Sequence, residues 1–338
     1  MKPARISTAD ARAGLVLARD VRGAALAKGK LLSDGDALLL RGLPQGDLHV
    51  LELEPGDLHE EPAGARLAAA AAGENIEVQP PSAGAFPLVA RKRGILEIDE
   101  GRLAQVNELD DLVVTTLPQG QIATEGELLG RAKIIPFVTS EERLRRAEEI
   151  ARPGLLRLRA FVPLRVLAVV EDRLEEKVLA RFSRDFGEKV RFFGSELLGL
   201  ELSGGSPEAM AAALGKAASR GAQLIILAGG RPMDPLDPAL QALERAGGRL
   251  VKHGIPAQPG ALLWLGAIGE VPVVGVPSCG IASKATALDL LLPHLFTGAH
   301  PTRRDLAALG AGGLLTRESA FRLPPYRPQG PRGELDAP

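Results

Sequence analysis

Residues 222 to 292 carry the pattern that most constrains this chain. A strand-like run, Ala222-Gln-Leu-Ile-Ile-Leu-Ala228, opens into Gly229-Gly230-Arg231-Pro232-Met233-Asp234-Pro235-Leu236-Asp237-Pro238 and then a helix. A second run, Val271-Pro-Val-Val-Gly-Val276, opens into Pro277-Ser278-Cys279-Gly280 and another helix. Two strand ends that each release a small-residue turn into a helix N-terminus offer free backbone N–H groups that can converge on one anion. The arrangement predicts a phosphate-bearing ligand.

The 338 residues exceed a single ordinary core and imply two or three domains. A formal net charge of -1 leaves no basic excess for nucleic acid or an anionic membrane, and Arg91-Lys92-Arg93 fits a solvated turn. The lone cysteine, Cys279, excludes an internal disulfide, and the five histidines lack metal-ligand spacing. The start lacks the apolar core of a signal peptide, so a cytoplasmic location is expected. Aromatic residues make up only 3%, which shifts ligand recognition from stacking toward backbone donors.

Apolar runs and turn residues divide the chain into a strand-rich region at 1–62, a mixed α+β region at 63–139, a linker helix at 140–154, an α/β domain at 155–300 and an extension at 301–338. Ala37 to Arg41 and His49 to Leu53 read as strands, and Ala63 to Ala72 as a helix. Further strands are expected at Phe86 to Ala90, Gly94 to Ile98, Leu112 to Thr116 and Arg131 to Phe137. Ser140 is placed to cap a charged helix. From Leu164 strands and helices alternate: a strand to Val170, a helix over 173–186, a strand over 189–193, and a helix from Pro207 capped by Ser206. A hairpin around Leu250 to Leu265 precedes the Val271 strand. Crossover helices between strands imply a mostly parallel sheet with ligands at its carboxyl ends. The proline-rich tail after Arg322 reads as extended or disordered.

Gly229 and Gly230 permit close backbone approach, as a phosphate site requires, though a plain tight turn needs the same residues. Arg231 adds a cation there. Asp237 before Pro238 fits an N-cap worth roughly 1 kcal/mol, and it equally fits a carboxylate that holds Mg²⁺ or a heterocycle's N–H groups. Asp234 repeats the pattern, and both cannot cap one helix. Lys284 lies in a helix first turn, which disfavours a cation by roughly 0.3–1 kcal/mol unless an anion is bound nearby. Cys279 sits in the same turn without a histidine neighbour. Glu171 and Asp172 stand at the same sheet edge as candidate metal ligands.

These residues together resemble the molybdopterin-binding (MoaB/MogA/MoeA-like) family of molybdenum-cofactor biosynthesis proteins, as a divergent member. The resemblance rests on Leu227-Ala228-Gly229-Gly230 followed by Asp237, on His253-Gly254-Ile255-Pro256-Ala257-Gln258-Pro259-Gly260, and on Val276-Pro277-Ser278-Cys279-Gly280, in family order across about residues 160 to 297. It implies a three-layer, mostly parallel sheet flanked by helices, preceded by a strand-rich α+β region. Gly229, Gly230 and Asp237 would face the pterin; Pro277 to Gly280 and Ser283 would lie at its phosphate or metal end, with Arg231 and Lys284 as compensating cations. Gln258 and Ala261 stand where the family has lysines, and Pro232 and Asp234 where it has glycines.

The implied ligand is molybdopterin or its nucleotide form, with Mg²⁺ as a companion. The implied activity is that of an adenylyl- or molybdotransferase with Asp237 at its centre. Implied partners are a molybdenum hydroxylase, a nucleotidyltransferase, and further copies of this chain as a homo-oligomer. A carrier role, which the missing lysines favour, and a Mg²⁺-dependent nucleotide pyrophosphatase like the competence-damage-inducible proteins are the competing readings.

Overall fold

Short strands closed by glycine- and proline-rich turns build the first of two units, Met1–Arg159, in a computed structural model. The structure describes residues 1–171, 175–230, 233–234, 236–277, 286–316 and 322–326. β1 (Lys2–Ser7), β2 (Leu15–Leu17) and β3 (Asp47–Glu52) form an antiparallel sheet in the order β1-β3-β2. α1 (Asp34–Arg41) covers it, burying Leu40 against Leu15, Leu17, Leu48 and Val50. The sequence pattern predicts a strand at Ala37 to Arg41; the helix forms because Ser33 and Asp36 make a reciprocal capping box at its start.

β4 (Asp57–His59) leads directly into α2 (Glu60–Ala71), and then come β5 (Ile76–Val78), β6 (Ala85–Ala90), β7 (Gly94–Ile98) and α3 (Glu100–Asn107). β8 (Leu112–Thr116), β9 (Ile122–Ala123), β10 (Leu128–Ile134), β11 (Val138–Ser140), α4 (Glu141–Ala151) and β12 (Leu156–Ala160) complete this part. The sheet β5-β6-β10-β8 is antiparallel, and its Leu88 and Leu129 share a core with Leu67 of α2 and Leu144 of α4. Ser140 caps α4 as its position predicts, its hydroxyl accepting from the Arg143 N–H at 3.2 Å. Arg66 of α2 straps the two helices together through Glu141 at 2.7 Å and Glu148 at 2.8 Å.

The second unit, Ala160–Pro338, contains β13 (Arg165–Glu171), α5 (Glu176–Phe192), β14 (Glu196–Ser203), α6 (Pro207–Ser219), β15 (Leu224–Ala228) and α7 (Pro238–Arg245). β16 (Arg249–His253), β17 (Trp264–Ile268), β18 (Val271–Val276), α8 (Ala287–Phe296) and α9 (Arg303–Ala308) follow. Residues 189 to 193, predicted as a strand, end α5 instead. Phe182, Phe186 and Val190, spaced by four, line one helical face in the core.

The six strands run in the order β14-β13-β15-β18-β17-β16. Alternation divides their apolar residues between two cores. Val166, Ala168 and Val170 meet α5 and Leu288 to Leu292 of α8, while Leu167 and Val169 meet Leu214 of α6 and Leu243 of α7. β13 pairs in parallel with β14 and β15, and β15 with β18; β17 runs antiparallel to both β18 and β16, which makes the predicted hairpin. The chain is therefore mixed α/β with several sheets. Antiparallel pairing prevails over the chain as a whole, and the parallel strand pairs of the second unit join β14-β13-β15-β18. Among the described residues, no helix is long and apolar enough to cross a membrane.

Trp264 fixes the hairpin against this block. It lies opposite Gly275 in the β17–β18 register, and a Cβ on Gly275 would stand 1.9 Å from the indole. Gly275→Ala is expected to cost at least about 1–3 kcal/mol through overpacking, measured by denaturant unfolding. A second expectation concerns acid stability. Hydrogen bonds from Arg66, then from Arg145, hold the Glu141 carboxyl at about 2, and Arg66 also lowers Glu148. Both folded values lie below the unfolded 4.5, so this stability is full above 4.5 and is lost as pH falls toward about 2. Thermal unfolding across that window should show a shallower acid loss for Arg66→Met than for wild type.

Candidate functional site

Because β13, β15 and β18 are parallel neighbours, their carboxyl ends share one edge of the sheet. That edge brings together Glu171, which ends β13; Gly229 and Gly230, which follow β15; Asp237, which opens α7; and Pro277, which follows β18 and is buried. Both glycines have positive φ, +123° and +86°. A Cβ on Gly230 would fall 3.1 Å from Asp237 Oδ1, and one on Gly229 would fall 2.7 Å from the Glu171 Cβ. The turn therefore packs backbone directly against two carboxylate side chains, which requires glycine in both places.

The hydrogen bonds settle the competition between the two aspartates. Asp237, only 2% exposed, caps α7: its Oδ1 accepts from the Ala239 N–H at 2.8 Å. The Asp234 carboxylate instead closes a local turn by accepting from the Leu236 N–H at 2.9 Å, and its carbonyl accepts from the Asp237 N–H at 3.0 Å. Pro238 takes the first helical position, where its missing N–H costs nothing.

One expectation is corrected here. The sequence predicts free amides at the double glycine, yet both are engaged. Gly229 N–H donates to the Val276 carbonyl at 2.9 Å, which ties the ends of β15 and β18 together. Gly230 N–H donates to Glu171 Oε2 at 3.1 Å. A carboxylate of the chain itself thus completes the Gly230 amide. The physical reason is that an amide turned away from its own ladder is completed by any acceptor the neighbouring strand offers. Asp172, Arg231, Ser278, Cys279, Gly280, Ser283 and Lys284 lie outside the described residues. Among the described residues no group of three or more His, Cys, Asp or Glu side chains is placed to hold a metal ion.

Sequence reasoning missed a buried polar group in α8. Asp289, 1% exposed within α8, accepts from Lys189 Nζ at 2.6 Å and from the Tyr326 hydroxyl at 2.7 Å through Oδ1, and from the Thr286 N–H at 2.8 Å through Oδ2. Burial first, and then the Asp289 charge, push the Tyr326 hydroxyl well above its ordinary value. The signal was the spacing Thr286-x-x-Asp289, a capping box just before an apolar run. Within the segment expected to be extended or disordered, residues 322–326 are described, and the Tyr326 ring packs edge-on against Phe192 at 5.4 Å. In the loop between β16 and β17, Gln258 is held by backbone bonds to Gly313 and Leu315, each 2.8 Å. Gly260 lies so close to Ala287 that a Cβ would stand 2.6 Å from its nitrogen.

With that geometry established, the chain can be set beside known proteins. No protein-family model matches the sequence, and no curated protein matches it. Among solved structures it is similar to the molybdopterin biosynthesis MoeA protein from Pyrococcus horikosii, at 14% identity and a TM-score of 0.32, over 71% of this chain and 79% of that one. It is also similar to a protein from Corynebacterium diphtheriae assigned to molybdenum cofactor biosynthesis, at 20% identity and a TM-score of 0.32, over 41% of this chain and all of that one. Likeness at this level decides nothing about chemistry, which rests on the residues above.

The cap gives a clean test of what Asp237 does for folding. Asp237→Ala should lower stability by about 1 kcal/mol, whereas Asp237→Asn, which keeps a side-chain acceptor, should stay within a few tenths of wild type in thermal unfolding.

Proposed function

We propose that the second unit binds molybdopterin, or its molybdenum or nucleotide form, at the carboxyl edge of the β13-β15-β18 block, and serves molybdenum-cofactor biosynthesis or insertion as a transferase. The observation that carries this reading is the convergence of Glu171, Gly229, Gly230 and Asp237 at that edge. Open α/β sheets bind ligands outside the carboxyl ends of their strands. The motifs in register at 227–237, 253–260 and 276–280 supply the ligand class.

The chemistry of the first turn orients the ligand. Two carboxylates beside Gly230 suit N–H donors, as the amino-pyrimidinone edge of a pterin presents, and they repel a phosphate. The phosphate end would therefore lie on the side of Pro277. Asp237 would position the pterin edge and Glu171 would shape the turn beneath it.

A second reading is a carrier that binds the cofactor and hands it to a nucleotidyltransferase or molybdenum hydroxylase without turnover. Gln258 and Ala261 favour it, because their positions supply no cation to an incoming molybdate or departing phosphate.

Titration of molybdopterin, with and without molybdate and Mg²⁺, into wild type, Asp237→Asn and Glu171→Gln tests the site. The expected result is saturable binding that weakens by roughly ten-fold or more in both variants. Unchanged binding in both moves the ligand away from this edge, and no binding by wild type removes the pterin reading. Consumption of adenylylated pterin and molybdate in the same samples marks a transferase; binding without product marks a carrier.

A further inference from the structure

The first unit holds a cavity that plays no part in the reading above. Glu60 and Pro62, at the start of α2, line a space of about 560 Å³ whose other walls include Leu31, Pro81 and Phe86. The Glu60 carboxyl lies between two glycine turns. A Cβ on Gly29 would stand 2.5 Å from Oε1, and one on Gly84 would stand 3.0 Å from Oε2. Oε2 is buried and has no hydrogen-bond partner.

Neighbouring polar groups are engaged elsewhere. His59 Nε2 lies 2.7 Å from the Gly29 carbonyl oxygen, Lys133 Nζ donates to the Ala83 carbonyl at 3.1 Å, and Lys30 Nζ pairs with Asp36 at 2.9 Å. Burial raises the Glu60 carboxyl above its ordinary value, against the lowering effect of His59 and Lys133. An acid in a helix first turn is favoured by the dipole, but that field supplies no N–H to Oε2. An acceptor held between two backbones and without a donor, beside a cavity whose walls also carry Lys30, His59 and Glu61, is the complement of a ligand that brings one.

We propose that this cavity binds a small organic cation of the amidinium or guanidinium type, its paired N–H groups on the Glu60 carboxylate and its flat body against Phe86, Pro62 and Pro81. A planar pair of donors matches the two oxygens of a carboxylate, whereas an ammonium meets them as a point charge. The Phe86 ring and the two prolines suit an aromatic or delocalised body.

Benzamidine, with neutral benzamide as control, is titrated into the full chain and followed by ligand-observed saturation-transfer NMR. The expected result is saturable benzamidine binding, with benzamide weaker by roughly ten-fold or more and Glu60→Gln weakening benzamidine to a similar degree. Leu31, 43% exposed at the cavity wall, provides a second variant: Leu31→Lys adds a competing cation and should weaken binding without lowering the unfolding temperature. Equal binding by Glu60→Gln and wild type, or no binding by wild type, overturns the proposal. If Glu60→Gln does not fold, Leu31→Lys decides, and unchanged binding in that variant overturns it. All these residues belong to the first unit, so the outcome is independent of the molybdopterin titration.

Discussion

The second unit depends on the parallel alignment of β13, β15 and β18. Parallel pairing sends three chain segments out of the sheet on the same side, and the crossovers α5, α6 and α7 return the chain behind it. Without that shared direction, Glu171 and the double glycine, far apart in sequence, would not meet. Alternating apolar side chains hold the alignment, because a register slip of one residue would exchange the side chains that fit the two cores and disrupt the packing of both.

Much of this was legible in the sequence, and for identifiable reasons. The runs Leu224 to Ala228 and Val271 to Val276 are fully apolar and end in glycine or proline, so strand and boundary are marked together. Asp237-Pro238 marks a helix start by local chemistry alone, and the structure shows that cap. Local reading failed where two local signals disagreed. Leu38, Leu39 and Leu40 in a row suggest a strand, and only the Ser33 and Asp36 side chains reveal the helix. Phe192 and Phe193 suggest another strand, whereas the longer spacing of Phe182, Phe186 and Val190 carries α5 through to Phe192. The seat of Glu171 on the Gly230 amide was invisible, since nothing near either residue announces a partner on another strand.

Both units place carboxylates where backbone comes unusually close. In the first, Glu60 is enclosed by Gly29 and Gly84; in the second, Glu171 and Asp237 close around Gly229 and Gly230. Glycine there works less as a flexible joint than as missing volume, which lets an acid reach the main chain. The two cases differ in completion: Gly230 donates to Glu171, while Oε2 of Glu60 has no donor. The first pairing closes the turn on itself, whereas the second leaves a buried oxygen open to a donor.

The chain has one tryptophan and one tyrosine, and the fold places them on opposite faces of the same sheet, Trp264 buried and Tyr326 half-buried. Trp264 sits in the core beneath α6 and α7, and Tyr326 packs on the core beneath α5 and α8 with its hydroxyl on Asp289. Each face thus carries its own intrinsic optical reporter. Indole emission follows the hairpin side, and phenol absorbance follows the anchoring of the C-terminal segment, so the order in which the two layers come apart can be watched without any added label.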